Sequence, residues 1–133
     1  MGSFCDYLEA AVLDHIFGLA SYTAPNPIYV GLSSTLPTDA GGNITEPGSN
    51  YARVSKASGS THWQRSGSTV DNKTAVTFAT AAASWGTVGW FFLSDAASGT
   101  TNILGWGALS ASKTIDASDT AEFAVGDLDV SLD

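Results

Sequence analysis

Charge is what this chain has least of. Only 14% of its 133 residues are Asp, Glu, Lys or Arg, against roughly 25% in ordinary soluble domains. Thirteen are acidic and 5 basic, for a net charge of −8 at pH 7. Arg53, Lys56, Arg65, Lys73 and Lys113 are scattered, and a field of this sign repels phosphate backbones, so nucleic acid is not an expected partner. The single cysteine, Cys5, allows no internal disulfide and no cysteine metal cluster, which leaves stability to packing, oligomerisation or both. No stretch approaches the run of about 18 apolar residues that spans a membrane, so membrane insertion is not expected. Asp6, Glu9 and Asp14 stand where a signal peptide would be basic and then apolar, which points to a chain made and folded in a reducing cytoplasm.

Recognisable chemistry is equally sparse. The chain has no Gly-x-Ser-x-Gly elbow, no Gly-x-x-x-x-Gly-Lys phosphate loop and no dinucleotide fingerprint. His15 and His62 make a metal site only with carboxylates from distant segments. Asp116 with Asp119, and Asp127 with Asp129, are carboxylate pairs of the kind glycoside chemistry uses. Both sit in or beside turns, where acidic residues keep strand ends soluble and discourage edge pairing. No catalytic, cofactor-binding or metal-binding residues are expected, and the protein is read as not an enzyme.

What is present is a dense aromatic core. Two tryptophans, two phenylalanines, a valine and a leucine lie within residues 85–93, a composition that suits a pleated strand packed on at least one face. A turn at 95–99 leads to a partner run at 103–109, in which Trp and Gly alternate. The two runs read as a hairpin, with Trp85, Trp90, Phe92, Leu104 and Trp106 as its core residues.

Residues 3–17 form the one convincing helix, with Ser3 and Asp6 spaced as a capping box and Gly18 where a helix stops. Phe4, Tyr7, Leu8, Ala11, Val12, His15 and Ile16 share one broad face, and His15 is read as a partly buried, hydrogen-bonded structural residue. Leu13 and Phe17 fall outside that arc, more apolar surface than a sheet-packing helix needs, and are candidate inter-subunit contacts.

Strands are expected at 28–33, 51–55, 74–79, 113–115, 120–125 and 128–132 in addition to the hairpin. In the last, Leu128, Val130 and Leu132 alternate with Asp129, Ser131 and Asp133. Residues 35–50 and 57–73 read as long polar loops. Asp39, Asn43 and Glu46 offer oxygen ligands in the first, but at a spacing unlike an EF-hand, so a solvated loop is expected. Trp63 in the second is either an anchor for its loop or a stacking surface for a glycan. About eight strands with one N-terminal helix make a mainly β, single-domain antiparallel β-sandwich, with the helix at 3–17, the sandwich at 28–132 and one domain over 1–133.

Taken together, the motifs resemble the small phage tail fibre protein family of tailed bacteriophages and prophages. They run from Asp14, His15, Ile16, Phe17 and Gly18, through Tyr22 to Pro25 and Tyr29 to Ser33, to Thr45, Glu46 and Pro47. Tyr51 to Val54, Trp63, Ala83 to Val88, Leu93 to Ala96 and Gly105 to Leu109 follow in order. Lys113 with Thr114, and Phe123 with Gly126 and Leu128, close the pattern. The resemblance implies a non-enzymatic virion component made in the host cytoplasm and working as a homo-oligomer, a trimer, alongside other virion proteins. Without a repetitive shaft or separate receptor tip, a short fibre, knob or adaptor fits the chain better than a long fibre. The alternatives are a capsid cement or head decoration protein bound to the major capsid protein, and a carbohydrate-binding adhesin for a host surface glycan.

Overall fold

The hairpin read from the sequence is the centre of the sheet. A computed structural model describes residues 2–132, and in it β7 (Gly86–Ser94) pairs antiparallel with β8 (Ile103–Ile115). The other elements, in chain order, are β1 (Gly2–Phe4), α1 (Asp6–Ile16), β2 (Ile28–Ser33), β3 (Val54–Lys56), β4 (Trp63–Ser66), β5 (Thr69–Asn72), β6 (Val76–Thr77), β9 (Glu122–Phe123) and β10 (Val130–Ser131). Eight of the strands form one sheet in the order β3-β2-β7-β8-β1-β10-β5-β4, and β6 pairs with β9 in a second, small sheet. All pairings are antiparallel except β1 with β10. The architecture is mainly β and sandwich-like, with one helix.

Cross-strand pairing explains why aromatic and glycine residues alternate. On one face, Val30 and Leu32 of β2 stand beside Leu93 and Phe91 of β7, which in turn face Gly105 and Gly107 of β8. The glycines leave room for the large side chains across from them, the complementarity a close-packed core requires. This face is covered by the small sheet: Val76, Phe78, Phe123 and Leu128 join the same buried cluster, and Phe91 meets Phe123 edge-on at 5.9 Å. Each such fully buried side chain contributes about 1.5–3 kcal/mol. On the opposite face, Gly31 lies beside Phe92 and Phe92 beside Trp106. A Cβ on Gly31 would fall 2.2 Å from the Phe92 ring, so only glycine fits under that phenyl group.

Several expectations change in the folded chain. Strand pairing outweighs the local capping pattern at the N-terminus: Ser3 and Phe4 pair with Trp106 and Gly105, and the helix starts only at Asp6, capped by Cys5 without a side-chain bond. The loop expected at 57–73 is largely the β4–β5 hairpin, closed by a two-residue turn at Gly67 and Ser68. Gly67 takes a φ of 61°, which such turns require and glycine adopts freely. The strands expected at 103–109 and 113–115 are one element, β8, interrupted by a bulge. In the last strand Leu128 and Val130 are buried, but Leu132, one residue beyond β10, is exposed; Asp133 lies outside the described residues.

Of the expected core residues, Trp85, Phe92 and Leu104 are buried. Trp90 and Trp106 are only half-buried. Trp90 is aligned with Ser33 and Ala108, too small to enclose an indole, whereas Trp106 leans on a second cluster of Cys5, Phe92 and Ile103.

Candidate functional site

The most exposed apolar surface is at the end of α1. Gly18 ends the helix with a φ of 71°, and two bonds close a Schellman motif: Leu19 N–H to the Asp14 carbonyl at 2.8 Å and Gly18 N–H to the His15 carbonyl at 3.3 Å. The reversal leaves Leu13, Ile16, Phe17 and Leu19 with 58, 71, 73 and 77% of their surface in solvent. Leu13, Ile16 and Phe17 are spaced i, i+3 and i+4, so they are neighbours on the helix surface. Leu13 and Phe17 were expected here. Helical spacing puts Ile16 on the inward face, but the helix has no buried residue, and Leu8, Ala11 and Val12 are only half covered. Leu19 lies past the helix stop, where a helical projection does not reach.

His15 is exposed, contrary to the partly buried role expected of it. Its Nδ1 accepts the Tyr22 N–H at 3.2 Å and ties the chain that leaves the helix back to it. The next segment is held in turn by Ser58, whose N–H donates to Asn26 Oδ1 and whose hydroxyl donates to the Pro25 carbonyl.

The 35–50 loop keeps most of its residues in solvent, as expected, but it is anchored to the sheet. It folds over the Phe92 face of the sheet, where Ile44 packs on the second cluster and Gly41 lies against Ile103. Arg53 locks it: the guanidinium donates to both Glu46 oxygens at 2.9 Å and to the Ala96 and Gly99 carbonyls at 2.9 and 2.7 Å, and stacks 4.7 Å from the Phe92 ring centre. Asp39 accepts the Trp106 indole N–H at 3.2 Å, and the Asn43 amide donates to the Leu36 carbonyl at 2.8 Å. Of the three oxygen ligands considered for a cation, the Asp39 and Glu46 carboxylates are thus engaged at separate places, with Trp106 and with Arg53. Beneath the loop, burial pushes the Cys5 thiol up to about 12, helped by Asp39, Asp6 and Glu9. The Tyr51 hydroxyl, raised chiefly by burial, accepts the Leu32 N–H at 2.9 Å.

Trp63, the candidate for glycan stacking, is the first residue of β4 and packs its half-buried side chain against the main core. In each carboxylate pair one member accepts a nearby backbone N–H. Asp119 Oδ2 accepts the Asp116 N–H at 2.9 Å and Asp127 Oδ2 accepts the Ala124 N–H at 3.1 Å, so both carboxylates stabilise turns. Both residues do, however, border a groove of about 870 Å³ between the far half of β8 and the 119–129 segment. Its floor comes from β7, β8 and β9, elements too far apart in sequence for any motif to announce it.

A family model described as podophage GP4 fiber I protein gp80 matches residues 3–131. The chain belongs to this phage fibre family. The match covers α1 and both sheets, so the apolar helix end and the groove are both parts of a fibre protein, a component of the virion. No curated protein matches the chain. Among the described residues of this fibre protein, no helix is long and apolar enough to cross a membrane.

Proposed function

We propose that this fibre protein is a non-enzymatic structural subunit of a tailed-phage virion, acting as one domain and assembling with copies of itself, as a trimer, through the end of α1. One observation carries the reading: Leu13, Ile16, Phe17 and Leu19 expose an apolar patch that a monomer has no reason to keep in water. Association that buries it gains roughly 25 cal/mol for each Å² removed from solvent. The sheet, covered beside β2 by the small sheet on one face and by the Arg53-locked loop on the other, then carries the contact. Neighbouring tail proteins are the further partners.

Light scattering on the purified chain tests this. The wild type is expected to have the mass of a trimer, and the double variant Leu13→Asp with Phe17→Asp that of a monomer with an unchanged circular dichroism spectrum. A wild-type monomer that does not bind virions overturns the proposal, as does a double variant that keeps the full mass. Gold-labelled antibody on intact particles supports the fibre assignment if label is found on the tail. Label over the capsid replaces it with a decoration role.

A further inference from the structure

The fold gathers basic residues that lie scattered along the chain. Residues 47–94 hold four of the five basic residues and one of the 13 acidic ones, Asp71, so this stretch carries +3 and the rest of the chain −11. Arg53 is spent on Glu46, the one ion pair among the described residues. Lys56, Arg65 and Lys73 are bonded to neutral oxygens instead.

Two of these cations meet His62 at one corner of the sheet. Lys56 ends β3, His62 precedes β4 and Lys73 follows β5. Lys56 Nζ donates to Thr74 Oγ1 at 3.5 Å, and His62 Nδ1 lies 2.8 Å from the same oxygen. Lys73 Nζ donates to the Ser60 carbonyl at 3.1 Å, and its backbone N–H donates to the His62 carbonyl at 2.8 Å. Lys56, His62 and Thr74 are half-buried, so the ammonium and the imidazole are held in place before any ligand arrives. With Lys56 donating to the Thr74 oxygen, the hydroxyl proton goes to Nδ1, and the imidazole carries its own proton on Nε2. Of the acidic residues nearby in the fold, Asp71 stands two residues before Lys73, and Asp127 turns its carboxylate to the Ala124 N–H.

Charge also sets the kind of ligand. At physiological salt a charge is screened beyond about 8 Å, so the corner acts on a group that touches it. A long polyanion would in addition meet the −11 carried elsewhere. We propose that the corner of Lys56, His62 and Lys73 binds one isolated anionic group, a phosphate or a carboxylate, on an otherwise neutral ligand. The two ammonium groups supply the charge, and the imidazole Nε2–H supplies a directed hydrogen bond. The corner shares no residue with the patch on α1, and the inference stands whether or not that patch forms a trimer.

The probes are inorganic phosphate and acetate, titrated separately into the full chain, with sodium chloride at matched ionic strength as the control. Nuclear magnetic resonance follows the backbone amides and the His62 ring. The expected result is saturable shifts at His62, Lys73 and Thr74 that chloride does not reproduce. A response to phosphate alone identifies a phosphate-bearing ligand, and a response to acetate alone a carboxylate-bearing one. Lys56→Gln combined with Lys73→Gln should weaken binding about tenfold, whereas Lys113→Gln, beside the groove, should leave it unchanged. Lys73→Gln alone, at an exposed position, serves if the pair disturbs folding, with a loss of about threefold. Three outcomes overturn the proposal: no saturable shift at His62 with either anion, equal shifts around Lys113, or binding that survives the loss of the lysines.

Discussion

Where β7 and β8 pair through residues 90–94 and 103–108, large residues face glycines and both faces of the sheet are covered, one by the small sheet and the other by the 35–50 loop. Where the same two strands run on through 86–88 and 113–115, four residues of β8 bulge away from one glycine and border an open groove. The difference lies in the side chains available to close the surface. The first end has Phe91, Phe92, Leu93 and Trp106, with Arg53 to fasten the loop above them. The second has Ser110, Ala111 and Ser112, which are too small or too polar to draw a covering segment down. A sheet can thus hold itself together at one end of a strand pair and keep the other end free for contact.

The contrast breaks most severely if the closed end is hollowed. Phe92→Ala, beneath both Arg53 and Gly31, is expected to destabilise by about 3–5 kcal/mol, as is Trp85→Ala in the main core. Trp90→Ala, at a half-buried position, should cost well under half of that. Denaturant unfolding measures all three, and equal losses for Trp85 and Trp90 would contradict the assignment of faces. Next in size, Arg53→Ala strands the Glu46 carboxylate and two carbonyls, and is expected to cost about 3 kcal/mol. Because the loop lies over Cys5, this variant should also expose the thiol to a maleimide that the wild type resists at neutral pH.

The smallest effect is a slope in alkali. The Cys5 thiol is raised from 9.0 to about 12 in the folded protein, so the unfolded chain loses its proton first as pH rises. The stability linked to Cys5 is complete below pH 9 and is lost as pH climbs towards 12. Tyr51 is raised above its ordinary 10.0 and adds a second loss in the same direction beyond that pH. Melting temperatures between pH 8 and pH 11 should fall in the wild type, and Cys5→Ala should flatten the onset while leaving the Tyr51 part. An unchanged slope in that variant would mean that the thiol is not held under the loop.

Much of the closed end was legible in the sequence, and little of the open one. The run of Phe and Trp interspersed with Gly in 86–94 and 103–109 is a local signal, and it placed β7 and the first half of β8 in the sheet. The polar gap at 110–112 was visible too, but as a break between strands, since pairing on both sides of a bulge is a tertiary fact. The β4–β5 hairpin was hidden by its polarity, because Gln64, Arg65 and Thr69 carry no apolar alternation. Arg53 and Glu46 are seven residues apart across a loop, a spacing with no periodicity to mark it. At α1, helical spacing identified Leu13 and Phe17 as surplus but wrongly turned Ile16 and His15 inward. The helix lies on the rim of the core and buries less than a full face.

Amide hydrogen exchange along β8 of the unliganded protein tests the contrast most directly. Gly105 and Gly107, paired on both sides by β1 and β7, should exchange slowly, while residues 109–112 exchange at rates close to those of an unstructured chain. Uniform protection from residue 103 to 115 would show that the bulge is closed in solution, and the account of an open end would fail.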